Sequence, residues 1–188
     1  MVKNRLVLIR HSKTVIDPDK PNVGWILSDE GIKLAEELAQ DRVFSDVDVV
    51  YSSDQIKARE TAKPIVNKWG LDLQIDSDLT EVSSFTRGFF AQDYHQKVID
   101  FYQSNDISYF NGETLRQAEN RISKAIRDII VKNSGKNIAV VSHSNALTIF
   151  TKKYFPNLSY TELHDQMPMP SYCIIDYNQG LLIKPFND

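Results

Sequence analysis

Two stretches decide the predicted fold: RLVLIRH at residues 5–11 and NIAVVSHSNAL at residues 137–147. Each is an apolar run typical of a buried strand, and each run stops at a histidine, His11 in the first and His143 in the second. Further strands are predicted near 47–51, 71–75, 172–177 and 181–184, and helices over 29–41 and 115–132. This alternation predicts an α/β fold, a three-layer α/β/α sandwich with a mainly parallel sheet. The NQG turn between the last two strands predicts an antiparallel edge hairpin.

The two predicted helices carry recognisable start signals. Ser28 is placed to cap the first, and Thr114 with Gln117 is placed to form a capping box on the second. The apolar face predicted for the first helix is Ile32, Ala35, Leu38 and Ala39.

Length and composition limit the possible classes of protein. The chain has 188 residues, 41% of them hydrophobic, which predicts one domain over residues 1–188. The formal charge of −3 and the lack of a Lys/Arg cluster argue against a nucleic-acid partner. Cys173 is the one cysteine and cannot form an intramolecular disulfide. No run is long enough for a membrane span or a signal peptide, so a soluble cytoplasmic protein is expected; oligomeric state is left open.

Polar side chains follow three of the predicted strands. Arg10, His11 and Thr14 follow the first, two serines follow the second, and His143 follows the strand at 137–142. The carboxyl ends of parallel strands meet at one edge of a sheet, where ligands bind. These residues are therefore expected to converge, and an arginine beside two histidines indicates a phosphate site.

The same residues resemble the histidine phosphatase superfamily, also called the phosphoglycerate-mutase-like family, and in particular its small phosphatases. The resemblance rests on six elements in the family's order along nearly the whole chain. They are RHSKT at 10–14, LSDEGIKLAEELA at 27–39, YSSDQIKARETA at 51–62, LTE at 79–81, NGETL at 111–115 and VVSHSNAL at 140–147.

The resemblance implies a phosphatase that needs no metal or cofactor and acts on a small phosphorylated substrate. His11 would attack phosphorus and form a phosphohistidine. Arg10, His143 and a further cation would hold the phosphate oxygens. Glu81 would protonate the leaving oxygen and then activate water. Five other carboxylates compete for that acid role: Glu30, Glu60, Asp78, Asp93 and Glu113.

The sequence departs from the family's pattern at three positions. Ser12 and Ser144 replace the glycines that follow the two histidines, and Lys57 stands at the family's phosphate-binding arginine. Arg59 is the rival cation, but in a helix residues 57 and 59 point about 200° apart at roughly 100° per residue. Together with Thr14, these four residues form the predicted substrate-binding set. The departures leave a second hypothesis open, a weakened domain that binds phosphorylated ligands or phosphoproteins.

Three segments are expected to select the substrate: residues 83–110, NVGW at 22–25 and TELHDQMPMP at 161–170. The first is rich in aromatic residues that either cover the substrate or pack against the domain. They are Phe85, Phe89, Phe90, Tyr94 and Tyr109.

Overall fold

The computed structural model describes residues 4–17, 19–86 and 93–186. The strands in these ranges are β1 (Arg5–Arg10), β2 (Val49–Ser52), β3 (Leu73–Ile75), β4 (Ile138–Ser142), β5 (Ser171–Asp176) and β6 (Leu181–Lys184). They form one sheet in the order β3, β2, β4, β1, β5, β6. Strands β1 and β4, the two apolar runs that precede His11 and His143, are neighbours at the centre of the sheet.

Strands β3, β2, β4 and β1 run parallel, so their carboxyl ends lie at the same edge of the sheet. Strand β5 pairs antiparallel with β1, and β6 pairs antiparallel with β5. The predicted α/β fold, with a mainly parallel sheet and an antiparallel edge hairpin, is confirmed.

Helices cover both faces of this sheet. They are α1 (Asp29–Leu38), α2 (Ile56–Trp69), α3 (Tyr94–Gln103), α4 (Leu115–Lys132), α5 (Ser144–Thr151) and α6 (Tyr160–Asp165). Successive residues of a strand point to opposite faces. Val7 and Ile9 of β1 therefore share a core with α2, whereas Leu6 and Leu8 share the other core with α3, α4, α5 and α6. None of the described helices has the length and apolar content needed to cross a membrane.

Helix α1 begins at its predicted cap but differs from the prediction in its end and in its buried face. Ser28 caps it as predicted, because its side chain accepts a hydrogen bond from Gly31 N at 3.0 Å. The helix ends at Leu38 rather than at residue 41, and Ile32, predicted on the buried face, is 44% exposed. The helix instead turns Gly31 towards the loop after β1, where an added Cβ would lie 2.0 Å from the carbonyl oxygen of Lys13.

Helix α4 spans the predicted residues, and its capping box forms between Thr114 and Gln117. Its buried stripe packs on the sheet as the 3.6-residue period requires.

Candidate active site

The predicted convergence at the carboxyl edge of the sheet is present. His11 N donates to the carbonyl oxygen of Ser142 at 3.0 Å, continuing the pairing of β1 with β4. The imidazole rings of His11 and His143 lie with their centroids 5.1 Å apart at an interplanar angle of 60°. Residues 132 positions apart are thus brought together by the parallel pairing of two central strands.

A cavity of about 500 Å³ opens beside His11. The described residues that line it are Arg10, His11, Lys13, Thr14, Ile16, Asn22, Trp25, Lys57, Glu81, Phe85, Tyr94, Ser144 and Met169. Its volume is in the range of small-ligand sites.

His11 is held in one tautomer. Its Nδ1 lies 2.7 Å from the carbonyl oxygen of Ser12, and because a carbonyl can only accept, Nδ1 carries the proton. The Nε2 atom is left with its lone pair. Burial, with Lys57 and then Arg10 nearby, holds the pKa of His11 well below its usual range. His11 is therefore a neutral, oriented imidazole at neutral pH, as nucleophilic attack requires.

His143 lies behind His11 and is fully buried. Its Nε2 is 2.8 Å from Ser53 Oγ, while its Nδ1 has no hydrogen-bond partner among the described residues. Burial, followed by the effect of His11, holds its pKa well below the usual range. His143 is not among the residues that line the cavity, so in this structure its contact is with His11 rather than with the open space.

Arg10 and Thr14 both line the cavity. The guanidinium of Arg10 donates through Nη1 to the carbonyl oxygen of Met167, and its buried Nε has no partner in the described part of the chain. Burial lowers the pKa of Arg10 from its usual value. A guanidinium stays charged at neutral pH, so Arg10 brings a positive charge to the site.

The choice between Lys57 and Arg59 is decided by the side of α2 that faces the sheet. Lys57 is 3% exposed and lines the cavity, whereas Arg59 is exposed and does not. The ammonium of Lys57 donates to the carbonyl oxygen of Asn22 at 2.9 Å and lies 5.7 Å from the centroid of the Trp25 ring. Burial is the main cause that lowers the pKa of Lys57 to about 8. The structure therefore does not support the placement of Arg59 at the site.

The two serines that replace glycines behave differently. Ser12 is fully buried and turned away from the cavity, because its hydroxyl donates to the carbonyl oxygen of Gly31 at 2.7 Å. Its backbone N–H donates to Thr61 Oγ1 at 2.9 Å. The Ser12 side chain, predicted to bind substrate, therefore does not line the cavity. Ser144 does line the cavity, with its hydroxyl 3.5 Å from Glu81 Oε2.

Glu81 is the only carboxylate among the described lining residues. Its Oε1 accepts from Val82 N at 2.8 Å and from Ala146 N at 3.0 Å, and its Oε2 accepts from Asn145 N at 3.1 Å. The carboxyl group therefore sits at the N-terminus of α5, held between the loop at 79–82 and the second histidine's helix. The competing carboxylates Glu30, Glu60, Asp78, Asp93 and Glu113 do not line the cavity.

Glu113 instead supports the loop that carries Glu81. It forms a two-pronged ion pair with Arg121 of α4, with Nε to Oε1 at 2.6 Å and Nη2 to Oε2 at 2.8 Å. The same arginine donates to the carbonyl oxygens of Asp78 at 2.7 Å and Thr80 at 3.1 Å. The fixed fork of donors on Arg121 can hold both partners at once. Sequence reasoning missed this arginine because nothing local marks it.

Two further residues escaped the sequence analysis. Asn145 donates through Nδ2 to Glu81 Oε2 at 3.2 Å and accepts from Tyr102 OH at 2.9 Å. Asn22, besides holding Lys57, donates through Nδ2 to the carbonyl oxygen of Phe85 at 2.7 Å. The position of Asn145, two residues after the second histidine, was the available signal. Asn22 lay in a segment expected to select substrate, but its contact with Lys57 spans 35 residues.

All three segments expected to select substrate contribute to the cavity. Asn22 and Trp25 come from the first, Phe85 and Tyr94 from the aromatic segment, and Met169 from the segment after α5.

The aromatic residues of the segment 83–110 have two roles among the described residues: Phe85 and Tyr94 line the cavity, and Tyr109 packs within the domain. Tyr109 is absent from the lining and packs against Phe85 with ring centroids 6.0 Å apart. Phe89 and Phe90 lie outside the described residues. Within the described ranges, no three His, Cys, Asp or Glu side chains are grouped so that they could hold a metal ion.

Residues 6–184 match the histidine phosphatase superfamily (branch 1). The chain belongs to this superfamily. It is 24% identical over 149 residues to phosphoserine phosphatase 1 of Hydrogenobacter thermophilus, covering 74% of this chain and 71% of that one. The family and this relative together indicate that the protein is a phosphatase.

Solved structures of other phosphatases show the same fold as this chain. The mycobacterial glucosyl-3-phosphoglycerate phosphatase superposes with a TM-score of 0.76 at 17% identity, covering 98% of this chain and 99% of the other. A mutant phosphoserine phosphatase from Entamoeba histolytica, in complex with phosphoserine, superposes with a TM-score of 0.76 at 18% identity, covering 98% and 96%.

Proposed function

We propose that this phosphatase hydrolyses monophosphate esters of small metabolites through a phosphohistidine at His11, without a metal ion. The observation that carries the proposal is the hydrogen bond from His11 Nδ1 to the carbonyl oxygen of Ser12, which leaves Nε2 as a nucleophile beside the cavity. Arg10 and Lys57 line the same cavity and supply the charges that a phosphate needs.

In the first step, the lone pair of His11 Nε2 forms a bond to phosphorus while the bond from phosphorus to the ester oxygen breaks. Glu81 gives its proton to that oxygen, so the alcohol leaves uncharged. Arg10 and Lys57 neutralise the phosphate oxygens, helped by Thr14 and Ser144 at the cavity wall. His143 packs against the His11 ring and keeps it in position.

In the second step, a water molecule attacks the phosphohistidine and Glu81 accepts the proton of the water. The bond between nitrogen and phosphorus breaks, inorganic phosphate leaves, and His11 returns to its neutral tautomer. Glu81 thus serves first as acid and then as base, and the amides of α5 fix the position of its carboxyl group in both steps.

The names of the relatives support a small metabolite as the substrate. One relative is a phosphoserine phosphatase and one structural neighbour is a glucosyl-3-phosphoglycerate phosphatase. The proposal takes residues 1–188 as one domain, since the family match runs from 6 to 184. A cytoplasmic location and the absence of a nucleic-acid partner stay predictions from composition.

The experiment that tests the proposal compares wild type, His11→Ala and His95→Ala in hydrolysis of 4-nitrophenyl phosphate with a chelator present. His95 is a matched control because its side chain is 63% exposed and does not line the cavity. The expected result is chelator-resistant turnover in wild type and His95→Ala, and loss of turnover in His11→Ala. Acid quenching during turnover should also trap a phosphoryl group on His11, detectable by mass spectrometry.

Two results would contradict the proposal. Turnover that disappears with the chelator and returns with a divalent cation would remove the metal-free scheme. Tight binding of inorganic phosphate by a wild-type protein that hydrolyses no ester would favour the alternative, a domain that binds phosphorylated ligands or phosphoproteins.

A further inference from the structure

The cavity lining combines phosphate-binding groups with an apolar surface. Arg10, His11 and Lys57 supply the groups proposed to bind phosphate. Five of the described lining side chains are apolar or aromatic, namely Ile16, Trp25, Phe85, Tyr94 and Met169. With the phosphate at the cations, the alcohol part of a bound ester can pack against these five side chains.

The aromatic part of this wall is held in position. Phe85 is 1% exposed and packs edge to face on Phe101 at 5.1 Å and on Tyr94 at 5.8 Å between centroids. Trp25 donates its indole N–H to the carbonyl oxygen of Asp17 at 3.1 Å, so its polar atom is bonded within its own loop. A fixed apolar wall binds apolar groups with little ordering cost.

Ile16 belongs to a segment that carries further exposed aliphatic side chains. The segment 15–26 exposes four aliphatic side chains to solvent: Val15 by 47%, Ile16 by 64%, Val23 by 46% and Ile26 by 50%. The segment is anchored by the backbone pairing of residue 15 with residue 26. Single exposed aliphatic side chains are normal on a protein surface, so of these four only Ile16, which lines the cavity, is evidence for a ligand surface.

The described lining offers little to a zwitterionic leaving group such as serine. Glu81 is its only carboxylate, and that group already accepts from several donors at the start of α5. The cation at the mouth, Lys13, lies 2.5 Å from Glu30 Oε1 and is already paired. An ammonium placed here would have to share the Glu81 carboxylate with these backbone donors, whereas a hydrocarbon has five apolar or aromatic side chains to pack against.

We infer that the preferred substrates are phosphate esters of apolar alcohols, with an alkyl chain or a ring seated against Trp25, Ile16 and Met169. The inference rests on the proposed function and names the substrate class of that site. The ester oxygen sits at the phosphate side, and the hydrocarbon extends towards the 15–26 segment. Each methylene that becomes buried should improve binding roughly fourfold.

The test uses ethyl, butyl and hexyl phosphate, because their alcohols have similar basicity and differ in buried length. kcat/KM should rise at least about tenfold from ethyl to hexyl phosphate, allowing for incomplete burial of the chain. Hexyl phosphate should also be preferred to phosphoserine. In parallel, the Kd values of ethyl, butyl and hexyl phosphonate should fall in the same order, and they can be measured whether or not the protein turns over.

A matched pair of variants locates the effect. Ile16→Ala removes an exposed side chain that lines the cavity, and Ile183→Ala removes one that is 54% exposed on β6 and does not. The hexyl-to-ethyl ratio should fall severalfold in Ile16→Ala and by about tenfold in Trp25→Ala. The ratio should stay at the wild-type value in Ile183→Ala.

The outcomes separate the two proposals. Hydrolysis of all three esters that depends on His11 but not on chain length would overturn the inference and leave the proposed function in place. Phosphonate affinities that rise with chain length, in a protein without turnover, would support the apolar site and overturn the proposed function. A ratio that is unchanged in Trp25→Ala and Ile16→Ala, or phosphoserine preferred over hexyl phosphate, would also overturn the inference.

Discussion

Replacing Lys57 with arginine tests the proposed role of the Lys57 ammonium in binding phosphate. Burial is the largest cause that lowers the pKa of Lys57, to about 8, while Glu81 opposes the shift and Arg10 adds to it. In the proposed mechanism the charged ammonium binds phosphate, so activity should be present below this pKa and should be lost as pH rises through it. Arginine keeps its charge far above this range. Lys57→Arg should therefore remove the alkaline fall in activity.

The magnitude follows from mass action. With a pKa of about 8, roughly nine-tenths of Lys57 is charged near pH 7 and roughly one-tenth near pH 9. The kcat/KM of wild type should fall about tenfold between these pH values. His11 stays neutral throughout, because its pKa lies well below its usual range. The pKa of Tyr94 is raised to about 12, mainly by burial, and lies outside the window.

The assay is kcat/KM for one alkyl phosphate between about pH 6.5 and pH 9.5, in wild type, Lys57→Arg and Lys57→Met. The profile of kcat/KM reports the free enzyme, whereas bound phosphate should raise the Lys57 pKa and flatten the profile of kcat. Lys57→Met should lose roughly 10- to 100-fold at all pH values, the cost of a lost hydrogen bond to a charged group. If kcat/KM of Lys57→Arg falls at alkaline pH with the same midpoint as wild type, the titration of Lys57 is not the cause of the fall and the reasoning is refuted.

Three further substitutions test the roles of the surrounding residues. Glu81→Gln should lower kcat/KM for an alkyl phosphate by about 100-fold or more and lower that for 4-nitrophenyl phosphate far less, because kcat/KM reports the first step and only the alkoxide needs protonation there; equal losses in kcat/KM would remove its role as acid. Gly31→Ala should lower the free energy of unfolding by about 1–3 kcal/mol and reduce kcat/KM, because its Cβ would meet the carbonyl oxygen of Lys13 at 2.0 Å; unchanged thermal unfolding and activity would contradict the close packing. Ser12→Gly should lower stability by about 1 kcal/mol with kcat/KM nearly unchanged, since its hydroxyl is bonded to Gly31; a large gain in kcat/KM would show that Ser12 narrows the site.

The elements best predicted from sequence are those whose signals are local. Strands β1 and β6 and helix α4 have the predicted limits, and the caps at Ser28 and Thr114 form as expected. Apolar runs, periodicity and capping residues act over a few positions and need no partner to be recognised. The apolar face of α1 was less well predicted, since the packing of Gly31 on the loop after β1 rotates the helix.

The candidate site could be predicted in outline from the same sequence. Strands that end in Arg10, His11 and His143 must gather at one edge of a parallel sheet. The resemblance to the family supplied Glu81, which the structure places at the cavity wall. The contacts that support the site, such as the ion pair of Glu113 with Arg121, could not be predicted from the sequence, because no local pattern marks them.

The sequence by itself determined the order of the elements and the residues that would stand at the strand ends, because these depend on local patterns and on one general rule of sheet topology. Only the tertiary structure decided that Lys57 faces the cavity and Arg59 the solvent, and that the Ser12 hydroxyl turns to α1 rather than to phosphate. Such choices depend on how a helix is rotated against the sheet. That rotation is set by the packing of many side chains distant in sequence, which no local pattern records.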